Sequence, residues 1–184
     1  MSRRNLLLSV SFILIFFAIF GHSKKLKFLK FEIKKDLEVC RANISYEAAE
    51  DSTVYIFHVD FEILQQLSDV LIQITAKTSR DKNDKDFQYI LLNTKVDFCK
   101  FQSNPAASIL FQGFWNELLK NGINLKCPLQ KSVINIPHLR FPVSFFPIIS
   151  NGEIMAEFKM YGRVGSVKKL RNFLMTQMIV KITS

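Results

Sequence analysis

The stretch from residue 53 to 63, "TVYIFHVDFEI", constrains the fold more than any other. Tyr55, Phe57, Val59, Phe61 and Ile63 fall on one side of it, and Val54, Ile56, His58, Asp60 and Glu62 on the other. A side-chain period of two is that of a strand with one buried face. "DVLIQITAK" repeats it through Val70, Ile72, Ile74 and Ala76. The polar, turn-like run "SRDKNDKD" then leads into "FQYILLNTKV", the returning strand of a hairpin. "KLKFLKFEIK", "VCRANISY", "SVINI", "EIMAEFKMY" and "FLMTQMIVKI" add further strand-like runs, and a change of phase at Phe28-Leu29 predicts a bulge in the first.

One segment has the helical period instead. Leu110, Phe111, Phe114, Trp115, Leu118 and Leu119 make a broad apolar stripe. Asn104 is suited to cap that helix, Pro105 to its first position, and Gly122 to a left-handed C-terminal cap. The expected architecture is mainly β: a two-sheet antiparallel sandwich or cup with one helix inserted between Cys99 and Cys127. No internal repeat and no long linker divide the chain.

The first residues, "MSRRNLLLSVSFILIFFAIFGHS", have a different character. Arg3 and Arg4 precede an apolar run from Leu6 to Phe20, and Gly21 and Ser23 follow at a spacing suited to signal cleavage. As a helix that run would rise roughly 22 Å, short of a bilayer core of ~30 Å. The expected organisation is a signal peptide, 1–23, and a single β-sandwich domain, 24–184, secreted to the extracellular space. Later apolar runs are all interrupted by charge.

The 184-residue chain carries 25 Lys and Arg against 16 Asp and Glu. A basic exported protein meets acidic surfaces such as anionic membranes or sulfated glycans. Nucleic acid is not an expected partner, because the basic residues are scattered among apolar ones. Asn43-Ile44-Ser45 is a glycosylation sequon.

Three cysteines, Cys40, Cys99 and Cys127, leave one bridge and one odd thiol. Cys99 ends a strand-like run just before the helix and Cys127 follows just after it. A Cys99–Cys127 bridge would clip the helix to the sheet, at about 3 to 4 kcal/mol in the loop-entropy model. Cys40 is then free or buried, or available for a covalent dimer.

The order of "C-R" at Cys40-Arg41, acid-x-Cys-x-Phe from Asp97 to Phe101, Cys-Pro at Cys127-Pro128, and P-x-x-x-x-G from Pro147 to Gly152 resembles a large insect family of secreted proteins. These carry the domain of unknown function 1091. That family is similar to ML-type lipid-recognition domains and the ganglioside-activator fold, and includes relatives among insect chemosensory proteins. The resemblance implies an immunoglobulin-like, ML-type cup whose apolar interior holds a lipid or hydrocarbon. Family members commonly have a further cysteine before the "C-R" one; "KKLKFLKFEIKKDLEV" contains none.

Enzymatic chemistry is not expected. Beyond the leader only His58 and His138 remain, no hydrolase, zinc or phosphate-loop motif is present, and no catalytic residue, metal or cofactor is assigned. Asp60 and Glu62 share a solvated face with His58. The apolar inventory supplies the candidate cavity residues Phe57, Phe61, Phe111, Trp115, Phe145, Phe146, Met155, Met160, Met175 and Met178. "FPVSFFPI" is expected to be a loop at the mouth of the cup. Lys24, Lys25, Lys27, Lys168, Lys169 and Arg171 are candidates for a basic rim that holds an anionic headgroup.

The leading expectation is a non-enzymatic carrier or recognition protein for a small hydrophobic ligand, binding by burial at about 0.8 kcal/mol per methylene. The alternative is an extracellular interaction module with a filled core that binds a receptor or membrane surface.

Overall fold

A computed structural model describes residues 25–48, 54–79, 86–104, 109–142, 152–165 and 169–183. The strands are β1 (Lys25–Lys35), β2 (Cys40–Ala48), β3 (Val54–Ile63), β4 (Leu67–Thr78), β5 (Tyr89–Asp97), β6 (Ser132–Pro142), β7 (Gly152–Val164) and β8 (Arg171–Thr183). Between β5 and β6 lie two helices, α1 (Phe98–Ser103) and α2 (Ile109–Lys120).

The strands form two antiparallel sheets, one in the order β1-β8-β7-β4-β5 and one in the order β2-β3-β6. Alternation dictates how they face. Tyr55, Phe57, Phe61 and Ile63 of β3 are buried, while Asp60 between them is exposed. In β7 the inward set is Ile154, Ala156, Phe158 and Met160; in β8 it is Leu174, Thr176, Met178, Val180 and Ile182. These faces meet as one apolar core. The expected bulge in β1 is present, with register shifting between Phe28 and Lys30.

β6 also breaks register, between its pairs with Phe57 and Val59. Pro137 falls at that break, where a missing N–H costs no ladder bond. The break keeps Ile134, Ile136 and Leu139 all on the buried side. In β4 a break between Ser68 and Leu71 contains Asp69, at φ 49°, whose carboxylate meets Arg163 at 2.9 Å.

The helical region departs from expectation. In place of one helix there are two helical segments, and Cys99 lies inside the first of them. Asp97 caps α1 by accepting from the Lys100 N–H at 3.0 Å, and Phe98 and Phe101, three apart, bury together. Asn104 closes the C-terminus of α1, its N–H reaching the carbonyls of Lys100 and Phe101. Pro105 lies outside the described residues. Gly122 is the left-handed cap of α2, at φ 77°. The Ile123 N–H reaches the Leu118 carbonyl at 3.0 Å and the Gly122 N–H the Leu119 carbonyl at 2.9 Å, the two bonds of a Schellman motif.

The Cys99–Cys127 bridge is formed, with Cα atoms 5.5 Å apart. The Gln102 amide reinforces it, accepting from the Cys127 N–H at 3.1 Å and donating to the Leu125 carbonyl. Beyond the bridge, Leu129 and Leu67 exchange backbone bonds of 2.8 and 2.9 Å, fastening the segment to the start of β4. Cys40 is free and fully buried, its thiol donating to the Phe173 carbonyl at 3.1 Å. Among the described residues no helix is long and apolar enough to cross a membrane.

Candidate functional site: an apolar cavity between the sheets

The two sheets have unequal widths, five strands over three, so they cannot close on each other along both sides. On one side β1 meets β2 through a cluster of rings. Phe28 packs on Tyr46 and Tyr55 with centroids 4.4 Å apart in each case, and Phe31 lies 5.6 Å from Tyr46. On the other side, where β5 and β6 are the outer strands, the helices bridge the sheets, α1 against β4 and β5 and α2 against β6.

Between these boundaries is a cavity of about 390 Å³. β3 contributes Phe57, Val59 and Phe61 to it, β6 Ile134, Ile136 and Leu139, and β4 Ile72, Ile74 and Ala76. Ala156, Phe158 and Met160 of β7 and Leu174, Thr176 and Met178 of β8, in the same sheet as β4, complete the wall that faces β3 and β6. Phe98, Phe111 and Leu118 close the helical side. The Schellman turn adds Ile123 directly beside Leu118, the pairing that motif favours. Leu91, nearly half exposed, and Leu92 also line it, so the cavity approaches the surface along β5.

Among the described residues, two of those lining the cavity are polar or charged. Glu157 lies between Ala156 and Phe158, but its carboxylate takes the Lys159 ammonium at 2.8 Å and the Gln177 amide at 3.0 Å, both on the outer face. Those partners hold its pKa below the ordinary carboxylate value, the Lys159 hydrogen bond first. Thr176 is the other, and it faces inward.

Of the candidate cavity residues, Phe57, Phe61, Phe111, Met160 and Met178 line the space. Trp115 is buried one layer behind it, packed edge-on against Phe98 at 5.3 Å and near Phe101 at 6.3 Å. Met155 and Met175 are on the wrong face. Met155 lies five residues from Met160 and Met175 three from Met178, and an odd spacing in a regular strand reverses the side. Met155 accepts from Gln177 on the outer surface, and Met175 is in register with Lys34 and Lys159. Phe145, Phe146 and most of "FPVSFFPI" lie outside the described residues.

The basic rim does not assemble. Lys25 and Lys27 pair with the end of β8, whereas Arg171 begins that strand and Lys169 precedes it. Thirteen residues of strand separate the two groups by roughly 40 Å. Arg171 is moreover engaged by Asp36 at 2.6 Å and Glu38 at 3.0 Å, which raise its pKa, Glu38 most. Lys24 and Lys168 are outside the described residues.

Asn43 is exposed on β2, an edge strand. His58 and His138 meet across β3 and β6 with rings 5.6 Å apart, and His58 lies 3.5 Å from Glu47. Among the described residues no three His, Cys, Asp or Glu side chains group to hold a metal. Sequence reasoning missed Ile44, Ile72, Ile134, Ile136, Leu139 and Thr176; strand parity points all of them inward except Leu139, which the register break in β6 turns to the buried side.

Residues 72–156 match the family model described as "Protein of unknown function (DUF1091)". The match runs from within β4, through both helices and both bridged cysteines, to the start of β7. No curated protein matches the chain. A solved structure titled "Crystal structure of the C-terminal domain of wzt" is similar at 10% identity, over 83% of this chain and 77% of that one, with a TM-score of 0.41.

Proposed function

We propose that the chain is a secreted, non-enzymatic carrier or recognition protein for a small hydrophobic ligand, a lipid or hydrocarbon, in an extracellular fluid such as chemosensory lymph. The observation that carries this reading is the 390 Å³ space between the sheets, walled almost wholly by apolar side chains. That volume is within the range of small-molecule sites, about 300 to 1,000 Å³. A well-packed interior leaves few voids larger than a water molecule, so a space of this size supports the reading of a site that a guest fills. Binding would be driven by removing a chain from water, at about 0.8 kcal/mol per methylene.

The test is displacement of a fluorescent apolar reporter, N-phenyl-1-naphthylamine, together with mass spectrometry of an organic extract of the purified protein. Ala156, on β7 in the cavity wall, is the position to fill. Ala156→Phe is expected to abolish reporter binding while the protein still melts cooperatively. Unchanged binding in that variant, or an extract with no hydrophobe and no reporter signal from the wild type, would sink the proposal.

One observation favours the second reading, an interaction module. Tyr89, Ile90 and Leu91 are all exposed at the start of β5, an edge strand of the larger sheet. An open apolar edge is a template for pairing with another chain. Partner binding that survives Ala156→Phe and fails on Ile90→Lys would support that reading over the carrier.

A further inference from the structure

The cavity contains a hydroxyl that no described residue engages. Thr176 is 6% exposed and lines the cavity at mid-strand, with Leu174 before it and Met178 after it on the same face. Its cross-strand neighbours there are Ile33 and Phe158, which offer no side-chain acceptor or donor. The Thr176 side chain makes no hydrogen bond to a described residue, yet no fully enclosed side-chain oxygen among those residues is unpaired. Its oxygen is therefore open to the cavity. A hydroxyl kept in so apolar a space is unfavourable unless something bonds to it.

We infer that the guest is a hydrocarbon chain carrying one uncharged oxygen function, a hydroxyl or carbonyl, which hydrogen-bonds Thr176 inside the cavity. This rests on the carrier reading and narrows its ligand class. A threonine hydroxyl both donates and accepts, so it serves either function. It cannot serve a carboxylate equally, because among the described residues no Lys, Arg or His lines the space and a buried anion needs a countercharge. Glu157, the acid at the wall among the described residues, is already paired outward with Lys159 and Gln177.

The experiment measures displacement of N-phenyl-1-naphthylamine by n-dodecane, 1-dodecanol and dodecanoate, in wild type, Thr176→Val and Thr176→Ser. Valine keeps the shape and removes the hydroxyl; serine keeps the hydroxyl. The expected result is a loss of roughly threefold to tenfold in dodecanol affinity in Thr176→Val, with dodecane affinity unchanged and serine behaving as wild type. Dodecanoate at pH 8 should displace more weakly than the alcohol. Equal effects of the valine variant on alcohol and alkane, no effect on either, or preferred binding of dodecanoate would overturn the inference while leaving a hydrophobic carrier standing. Failure of the wild type to bind the reporter or any of the three probes would overturn both.

Discussion

The two long sides of the sandwich are closed by different means. Where β1 meets β2, five aromatic side chains, Phe28, Phe31, Tyr46, Tyr55 and Phe57, interlock directly. The side of β5 and β6 is closed through the helices instead. A strap of two helices crosses there, held by a disulfide, by the Gln102 amide and by the bridge from Leu129 to Leu67. Aromatic packing has two faces in contact and no slack, whereas a strap fastened at its ends can shift as a unit. The cavity reaches the strapped side through Phe98, Phe111, Leu118 and Leu91; on the carrier reading proposed above, that side is the route for a guest and the ring-packed side the fixed wall.

The sharpest way to break this contrast is to release the strap. Cys99→Ser with Cys127→Ser is expected to cost about 3 to 4 kcal/mol in the loop-entropy model, measured by urea unfolding. The same variant should release N-phenyl-1-naphthylamine several-fold faster. A large stability loss with unchanged release kinetics would mean that the helices do not gate the cavity.

The complementary change acts on the ring-packed side. Phe28 is half-buried, touches Tyr46, Tyr55 and Phe57, and does not line the cavity. Full burial of a phenylalanine puts its truncation at about 3 to 5 kcal/mol, so Phe28→Ala should cost about 2 kcal/mol. Reporter affinity in that variant should stay within about twofold of wild type. Loss of affinity on the scale of the disulfide variant would show that both sides support the cavity equally.

How much of this was legible in the chain depends on which physical rule governs each part. Strand alternation is local, so the β3 face of Tyr55, Phe57, Phe61 and Ile63 reads directly from "TVYIFHVDFEI". So does the Cys99–Cys127 bridge, because the strand-to-helix change on one side and Cys-Pro on the other bracket a single closed segment. The odd spacing of Met155 from Met160 and of Met175 from Met178 excludes a shared face, and that too is legible in the chain. The same parity places Thr176 inward, and only its polarity hid it from a search for apolar residues. The basic rim failed for a different reason. Lys25 and Arg171 lie near the two ends of the chain, but which strand ends they share is decided by the antiparallel pairing of β1 with β8, a non-local fact. The split of the helical region turns on Asp97, a capping residue whose partner, the Lys100 N–H, exists only once α1 has formed.

The ring-packed side ends at a buried thiol, and it allows the smallest test. Cys40 begins β2 just after the turn from β1, with its thiol on the Phe173 carbonyl of β8. Burial pushes its pKa up from the ordinary thiol value; the nearby Asp36 charge adds to this, while an Asp36 backbone bond and Lys35 oppose it more weakly. A raised acid pKa means that the folded state holds its proton at a pH where the unfolded chain has lost it. The stability this represents is fully present below the unfolded thiol pKa and falls as pH rises toward the folded one. The slope approaches about 1.4 kcal/mol per pH unit. Unfolding free energy of the wild type should therefore decline above about pH 8.5, and Cys40→Ala should remove that component of the decline. Tyr55, whose pKa is also raised by burial, will add a second decline at higher pH in both proteins. Because Cys40 does not line the cavity, reporter affinity per folded molecule should stay level through the Cys40 range. A fall in affinity that tracks the thiol titration would mean that the ring-packed side moves with the guest after all, and the fixed-wall account of it would have to be given up.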